Sequence, residues 1–449
     1  MPSLYKTLLN AASNYAQCVI ILLLDSILNI ILSRHLSIDH YANISLALRL
    51  INIVSLSILL GTSDSSAKSL RDLIIKYKKQ DIGRYISWNL SYISKPLISS
   101  IIIAFILFFT LDPLNLFSWG YDEFYIEFLP FVFLTAPFLA LIRLYASFIR
   151  CYKKFNVSRF IESMAFSILT IIFLLIDYKI YHVDPINEFI TVRVLFRSYL
   201  LVFLISTLYI AISLPEIFSK IKERIHQKDL NYKWIYDAKL HAKNLLLFNL
   251  NSNISVILVG MFAYNTDSLA FFTVALLITQ FISLVPSAIF VDFIPDINDA
   301  MKTSQTLKKF GSQWRQCSTL NFICTSLIAF ILFYFSKQIL SIFGKDFTTN
   351  DAVMMLHIVL LGRTLSCLFG YNQLLLCFTD LIDKLTKIDL ISFFIQLLLS
   401  ILLFTKFGIK GIALGFSISM VLNELMVLYI TKKYIHFNLY FSKKKIFIR

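Results

Sequence analysis

Residues 34–69 read RHLSIDHYANISLALRLINIVSLSILLGTSDSSAKS. A polar loop leads into an apolar run from about Tyr41 to Leu60, long enough as a helix to cross a bilayer, and a second polar loop follows. Arg49 stands in the middle of that run. An ionisable side chain at that depth costs several kcal/mol unless it meets a wet cavity or a partner, so Arg49 is a functional candidate from the outset. The stretch also recurs. A shift of 228 positions lays Asp39, Ala42, Ala47, Leu48, Ser55, Leu56 and Asp64 on Asp267, Ala270, Ala275, Leu276, Ser283, Leu284 and Asp292 without a gap. Each copy follows the first apolar helix of its half, the signature of an internal duplication.

The surroundings agree with a membrane setting. Of 449 residues, 57% are hydrophobic and 15% charged, and the mean hydropathy is +0.73. That leaves too little polar surface to cover a soluble globule. The apolar runs reach about 20 residues and lack the alternation of barrel strands, so the expected fold class is an all-α integral membrane protein. The net charge of +15 resides in short loops and tails between apolar runs, which points to membrane orientation and not to nucleic acid. The six cysteines form no CxxC pair and read as small hydrophobes. No cleavage signal follows the first apolar run, which is expected to remain as the first span.

Runs bounded by charge or by Gly/Pro/Asn clusters predict twelve transmembrane helices, near 13–34, 41–62, 88–110, 128–149, 158–177, 193–214, 243–263, 268–291, 317–336, 353–377, 386–405 and 409–431. The expected plan is two six-helix lobes, related as parallel repeats around a central cavity. They cover 1–214 and 243–431, with a charged linker at 215–242 and a basic tail at 432–449. Lys and Arg favour one set of alternate loops by about four to one, which puts both termini in the cytoplasm. The outer loops are short, the longest running from Leu111 to Glu127, and offer no domain for chemistry.

Among charges inside spans, Asp25, Arg49 and Arg363 fall near mid-depth, Arg143 and Glu424 toward the cytoplasmic side, and Lys95, Arg197 and Asp389 nearer helix ends. Asn14, Gln17, Asp25 and Asn29 form a polar stripe on the first span, and Ser45, Arg49 and Asn52 form one on the second. Two readings stand side by side. Asp25 and Arg49 either pair as a structural ion pair or face a shared cavity. Arg143 either lines that cavity or joins an interfacial basic group with Arg150. Lys95 and Arg197 suit snorkelling anchors. Asn249 and Asn253, one turn apart, bond either hydroxyl-rich cargo or a neighbouring helix. Arginines in excess of acids at depth imply an anionic guest, and the guanidinium fork matches phosphate. The candidate substrate-binding residues are therefore Arg49, Arg363, Arg143, Asn249 and Asn253. Asp25 and Glu424 are candidates for carrying a coupling H+ or Na+. No HExxH, GxSxG, Walker or Gly-rich nucleotide motif occurs, so neither an enzyme, nor a bound metal, nor another cofactor is expected.

Five segments carry a family resemblance. RHLSIDHYANISLALRL at 34–50 with LLGTSDSSAKSL at 59–70 looks like the second-helix entry of bacterial polysaccharide flippases of the Wzx type, in the multidrug/oligosaccharidyl-lipid/polysaccharide (MOP) exporter superfamily. GMFAYNTDSLAFFTVALLITQFISLVPSAIFVDFIPDI at 260–297 is similar to that family's helix seven to eight segment. SKQILSIFGKDF at 336–347 and FTKFGIKGIALGFSIS at 404–419 resemble its loop before helix ten and its entry to helix twelve. The resemblance implies a multi-pass protein of the bacterial inner membrane, with a cationic cavity open alternately to each side. Its cargo would be an undecaprenyl-diphosphate-linked oligosaccharide, moved from the cytoplasmic to the periplasmic leaflet for O-antigen and lipopolysaccharide biosynthesis. The implied partners are membrane lipid, a polysaccharide polymerase and a chain-length regulator, with Arg49 matching the family's cavity arginine. A multidrug exporter of the same superfamily, which would favour acidic cavity residues, and a polysaccharide polymerase or ligase, which would need a large outer loop, are the competing classes.

Overall fold

With no water in the bilayer core, every backbone polar group must bond within its own segment, and apolar runs of this length become helices for that reason. The computed structural model describes residues 4–75, 79–114, 128–181, 188–213, 228–262, 267–290, 297, 304–367, 369, 371–377, 379 and 381–435. Every regular element among them is a helix. The chain divides into two compact units, Leu24–Asn253 in one and Met1–Leu23 with Ile254–Arg449 in the other.

The unit Leu24–Asn253 takes in the second half of α1 (Leu4–His35), then α2 (Ile38–Leu59), α3 (Thr62–Ile75), α4 (Lys79–Leu114) and α5 (Leu129–Cys151). It continues through α6 (Phe155–Arg159), a π-helical turn (Phe160–Met164), α7 (Ala165–Tyr181), α8 (Glu188–Ser213) and the first part of α9 (Lys228–Phe262). Helix α2 starts where the Ser37 hydroxyl accepts the His40 amide at 3.3 Å, an N-cap that satisfies one orphan donor of the first turn. It ends at Leu60 and Gly61, both at positive φ, 48° and 78°. This left-handed pair reverses the chain into α3. α5, with Phe148, Ala140 and Leu144 fully buried, packs along α2, α4 and α8 and forms the centre of the unit.

The other unit holds α10 (Asp267–Phe290), α11 (Ser304–Tyr334), α12 (Ser336–Ser341), a 3-10 turn (Lys345–Thr348), α13 (Asn350–Cys367), α14 (Asn372–Cys377), α15 (Ile382–Phe407) and α16 (Ile409–Ile435). Two lipid-immersed helices gain little from apolar burial, so close backbone contact between small residues has to hold them. Gly411 and Gly415 supply it on α16: a Cβ there would lie 2.2 Å from the Leu403 carbonyl and 2.7 Å from the Ser400 amide nitrogen. Gly362 of α13 meets Ser417 in the same way, at 2.5 Å. α10 repeats the role of α2, the two copies related by the 228-residue shift. Ala42 and Ala270 are both wholly buried, as are Ala47 and Ala275 to within 1%. α2 lies along α5, and α10 lies along α13.

Eleven described helices are long and apolar enough to cross a membrane. Their flanks match that setting: Phe105, Phe108 and Phe109 on α4 are 56%, 60% and 67% exposed, a belt that water would not tolerate. Two spans differ in extent from expectation. The tenth span, expected at 353–377, is interrupted, because the helix stops at Cys367 and resumes at Asn372. The sequence there, FGYN at 369–372, has turn composition. The seventh span, expected from 243, belongs to a helix that already begins at Lys228. Residues 228–242, expected as linker, are helical because Trp234 and Ala238 recur on one face and bury to 5% and 0%. The outer-loop residues 115–127, linker residues 215–227 and tail residues 436–449 lie outside the described residues.

Candidate functional site

Three helices of the Leu24–Asn253 unit bring polar side chains together: α2 with Arg49, Asn52 and Ser55, α5 with Arg143, and α9 with Asn249 and Asn253. The arrangement starts with local bonding. Asn249 and Asn253 each donate their amide to the carbonyl four residues back, Leu245 at 2.9 Å and Asn249 at 2.8 Å, which leaves each side-chain oxygen directed away from its own helix. The Asn253 Oδ1 accepts the Arg49 Nη1–H at 3.0 Å. On α2, Ser55 donates to the Asn52 carbonyl at 2.7 Å. The same Ser55 Oγ accepts from Arg143 Nη1 at 2.8 Å, while Arg143 Nη2 donates to Asn52 Oδ1 at 2.5 Å.

Both guanidinium groups are thus held by neutral partners. The ion pair between Asp25 and Arg49, one of the two sequence readings, is not formed. Asp25 instead accepts from Ser167 of α7 at 2.6 Å, and Asn29 takes the Tyr41 hydroxyl at 3.0 Å. No carboxylate within 4.0 Å pairs with Arg49 among the described residues.

Beside Asn249 a cavity of about 180 Å³ opens between α2, α3, α5, α9 and the π-helical turn, and its walls include Asn52, Asp64, Arg143, Arg150, Glu162 and Asn249. Arg150 pairs with Glu162 and donates to Ser158, closing the end of α5 onto the π-turn. Burial pushes the Asp64 carboxyl above the usual range, with His241, Arg150 and Arg143 pulling the other way. Sequence reasoning missed Asp64, Glu162 and Ser147, which sit at helix ends where charge and hydroxyls normally face water. The signal available was the copy of Asp64 at Asp292 in the repeat.

Arg363 and Glu424 stand in the other unit, on α13 and α16, close enough to interact electrostatically. Among the described residues, the Arg363 Nε and the Glu424 Oε2 are buried without a hydrogen-bond partner. Nearby, the Asn423 amide donates to Asp389 at 3.3 Å. Of the five candidate substrate-binding residues, four therefore gather in one unit and Arg363 belongs to the other. Lys95 and Arg197 are exposed on their helices.

The architecture has known counterparts. An inward-facing multidrug resistance MATE family transporter of the MOP superfamily superposes with a TM-score of 0.72 at 14% identity, over 92% of this chain and 94% of that one. The lipid II flippase MurJ in an inward closed conformation gives 0.69 at 15% identity, over 93% and 87%. The Vibrio cholerae MATE transporter VcmN gives 0.64 at 15% identity, over 97% and 99%. No family model matches the sequence, and no curated protein matches it. The chain therefore has the fold of MOP-superfamily transporters and is a multi-pass membrane protein.

Proposed function

We propose that this chain is a flippase of the Wzx type, moving a lipid-linked oligosaccharide diphosphate from the cytoplasmic to the periplasmic leaflet of a bacterial inner membrane, with both termini cytoplasmic. The observation that supports this most is Arg49: a fixed positive charge in mid-helix, hydrogen-bonded to a neutral asparagine at 3.0 Å and matched by no carboxylate among the described residues. A guanidinium held that way keeps donors for a second partner, and a diphosphate supplies the countercharge the protein withholds. Arg143 and Arg363 add further positive charge within spans, the first held by Asn52 and Ser55 and the second beside Glu424. Movement of the headgroup needs no covalent step, since the lipid tail stays in the bilayer throughout. Asp25 and Glu424, carboxyls within spans, are the groups proposed to exchange a driving H+ or Na+.

A second reading, export of cationic compounds, draws on the MATE transporters of like fold and on the buried, unpartnered Glu424 oxygen. Deleting the gene separates the two. A flippase leaves lipid-linked repeat units accumulating in the inner leaflet, rescued by the intact chain and not by Arg49→Ala at equal protein level. Normal surface glycan in the deletion strain, with increased sensitivity to cationic dyes, would overturn the first reading in favour of the second.

A further inference from the structure

The hairpin of α15 and α16 ends in lysines, on the side that the charge bias of the loops puts in the cytoplasm. Lys384 and Lys387 lie in the first two turns of α15, and Lys432 and Lys433 in the last turn of α16. Lysines beside a span are ordinary, and the charge bias alone accounts for their number. It does not account for their convergence: the Lys384 and Lys433 ammoniums both stand within 5.7 Å of the centroid of one ring, that of Tyr434. The ring face attracts each of them, but it gathers two like charges and neutralises neither. Asp383, in the first turn of α15, is the acid nearest in sequence, and among the described residues it forms no ion pair with any of the four lysines. Behind them, Leu385 and Ile388 of α15 pack with Val427 and Leu428 of α16 in one buried cluster, so the core sets the spacing of the two helix ends.

The surface leading from these lysines into the membrane is apolar. On α15, Ile391, Phe394 and Leu398 follow Lys387 at i+4, i+7 and i+11, which is one face of the helix, and all three are exposed. On α16, Tyr429, Leu425 and Ile418 run down from Lys433 and are exposed as well. From Lys387 to Leu398 the helix rises about 16 Å at 1.5 Å per residue, half of a hydrocarbon core about 30 Å thick. That is the depth of one leaflet.

We propose that this end of the α15–α16 hairpin binds one anionic phospholipid of the inner leaflet, its phosphate between Lys384 and Lys433 and its acyl chains along the apolar stripes. Charge and depth together select the occupant. A phosphate supplies the countercharge that two converging ammoniums lack, and a leaflet's depth of exposed apolar helix takes an acyl chain. A zwitterionic lipid brings an ammonium of its own and leaves the lysines uncompensated, while a free phosphate leaves the stripes unused. The proposal needs only that the chain spans a bilayer and does not draw on the nature of the cargo.

The test counts the lipids retained by the full chain in detergent, by native mass spectrometry, with phosphatidylglycerol, phosphatidylcholine and inorganic phosphate as probes. A lysine close to an anionic headgroup corresponds to about fivefold in affinity, so the first phosphatidylglycerol is expected to bind about tenfold tighter, or more, than the first phosphatidylcholine. In Lys384→Gln/Lys433→Gln that preference is expected to fall toward one, and in Lys384→Arg/Lys433→Arg it is expected to persist. Lys239→Gln/Lys243→Gln removes the same charge from the exposed face of α9 and is expected to keep the wild-type preference. Three results overturn the site in favour of a general attraction between basic ends and anionic lipid: a wild type that retains both lipids alike, a preference untouched in the hairpin glutamine variant, or one that falls as far in the α9 variant. Displacement of phosphatidylglycerol by millimolar inorganic phosphate overturns the lipid as occupant in favour of a free anion.

Discussion

Substituting Gly61 by alanine tests how tightly α9 is seated. Gly61 lies at φ 78°, and a Cβ there would sit 2.1 Å from the Ala238 carbonyl oxygen and 2.4 Å from the Ala242 amide nitrogen. Ordinary contact is about 3.5 Å, so α9 would have to retreat by about 1.4 Å at that point. Both obstructing atoms are backbone of a helix, which cannot rotate away as a side chain could. Overpacking of this kind costs about 1–3 kcal/mol, and left-handed backbone at a non-glycine adds about 1–2 kcal/mol. The expected total is about 2–5 kcal/mol. Because α9 is one helix from Lys228 to Phe262, the retreat also carries Asn253 away from Arg49, stretching a 3.0 Å bond. The assay is thermal melting of the full chain in detergent, with Ser57→Ala on the exposed face of α2 as control. Gly61→Ala should melt well below the wild type, while Ser57→Ala should melt with it. If Gly61→Ala melted with the wild type, the close seating of α9 on the α2–α3 turn would be wrong.

Three further outcomes follow from other contacts. Gly415→Ala drives a Cβ to within 2.8 Å of the Ser400 Cα and should cost about 1–3 kcal/mol of stability, read as reduced melting temperature, whereas Gly408→Ala meets no atom within 4 Å and tests backbone strain alone. Asp64→Asn should change stability with pH. Burial raises the folded-state pKa of Asp64 above its unfolded value, so the wild type loses stability as pH rises from the unfolded value through the raised one, and the melting temperature of the variant relative to wild type should climb over that window. Arg143→Ala leaves the Asn52 Oδ1 without its partner at 2.5 Å, and should destabilise by about 1–3 kcal/mol in denaturation measurements. Arg143→Gln, which keeps a donor, should cost less.

The helix plan was legible because membrane spans are written as runs of length, and length survives whatever the neighbours do. Even so, the run at 353–377 hid a break, since LLLC at 374–377 is as apolar as a span while only six residues of helix form there. Helix 228–242 was not legible from hydropathy. Its buried face rests on Trp234, which packs edge-on to Tyr85 with centroids 5.0 Å apart, a pairing between residues far apart in the chain. The intramembrane arginines could be named from depth alone, but their partners could not. Whether Arg49 would meet Asp25 or Asn253 depends on how helices rotate against one another, and the polar stripes of α1 and α2 allowed both. Asp64 and Glu162 were passed over because charge at a helix end usually belongs to water, and here α3 and the π-turn leave them half-buried at the wall of one cavity.

The most direct measurement is flipping of a fluorescent polyprenyl-diphosphate sugar in proteoliposomes holding wild type, Arg49→Lys or Arg49→Ala. Loss of a charge-assisted contact to the diphosphate amounts to about 1.5–3 kcal/mol, or roughly tenfold to over a hundredfold in rate. Arg49→Ala should slow flipping by that factor and Arg49→Lys, which keeps charge without the planar fork, by less. Equal rates in wild type and Arg49→Ala would contradict a cationic cavity that grips the diphosphate.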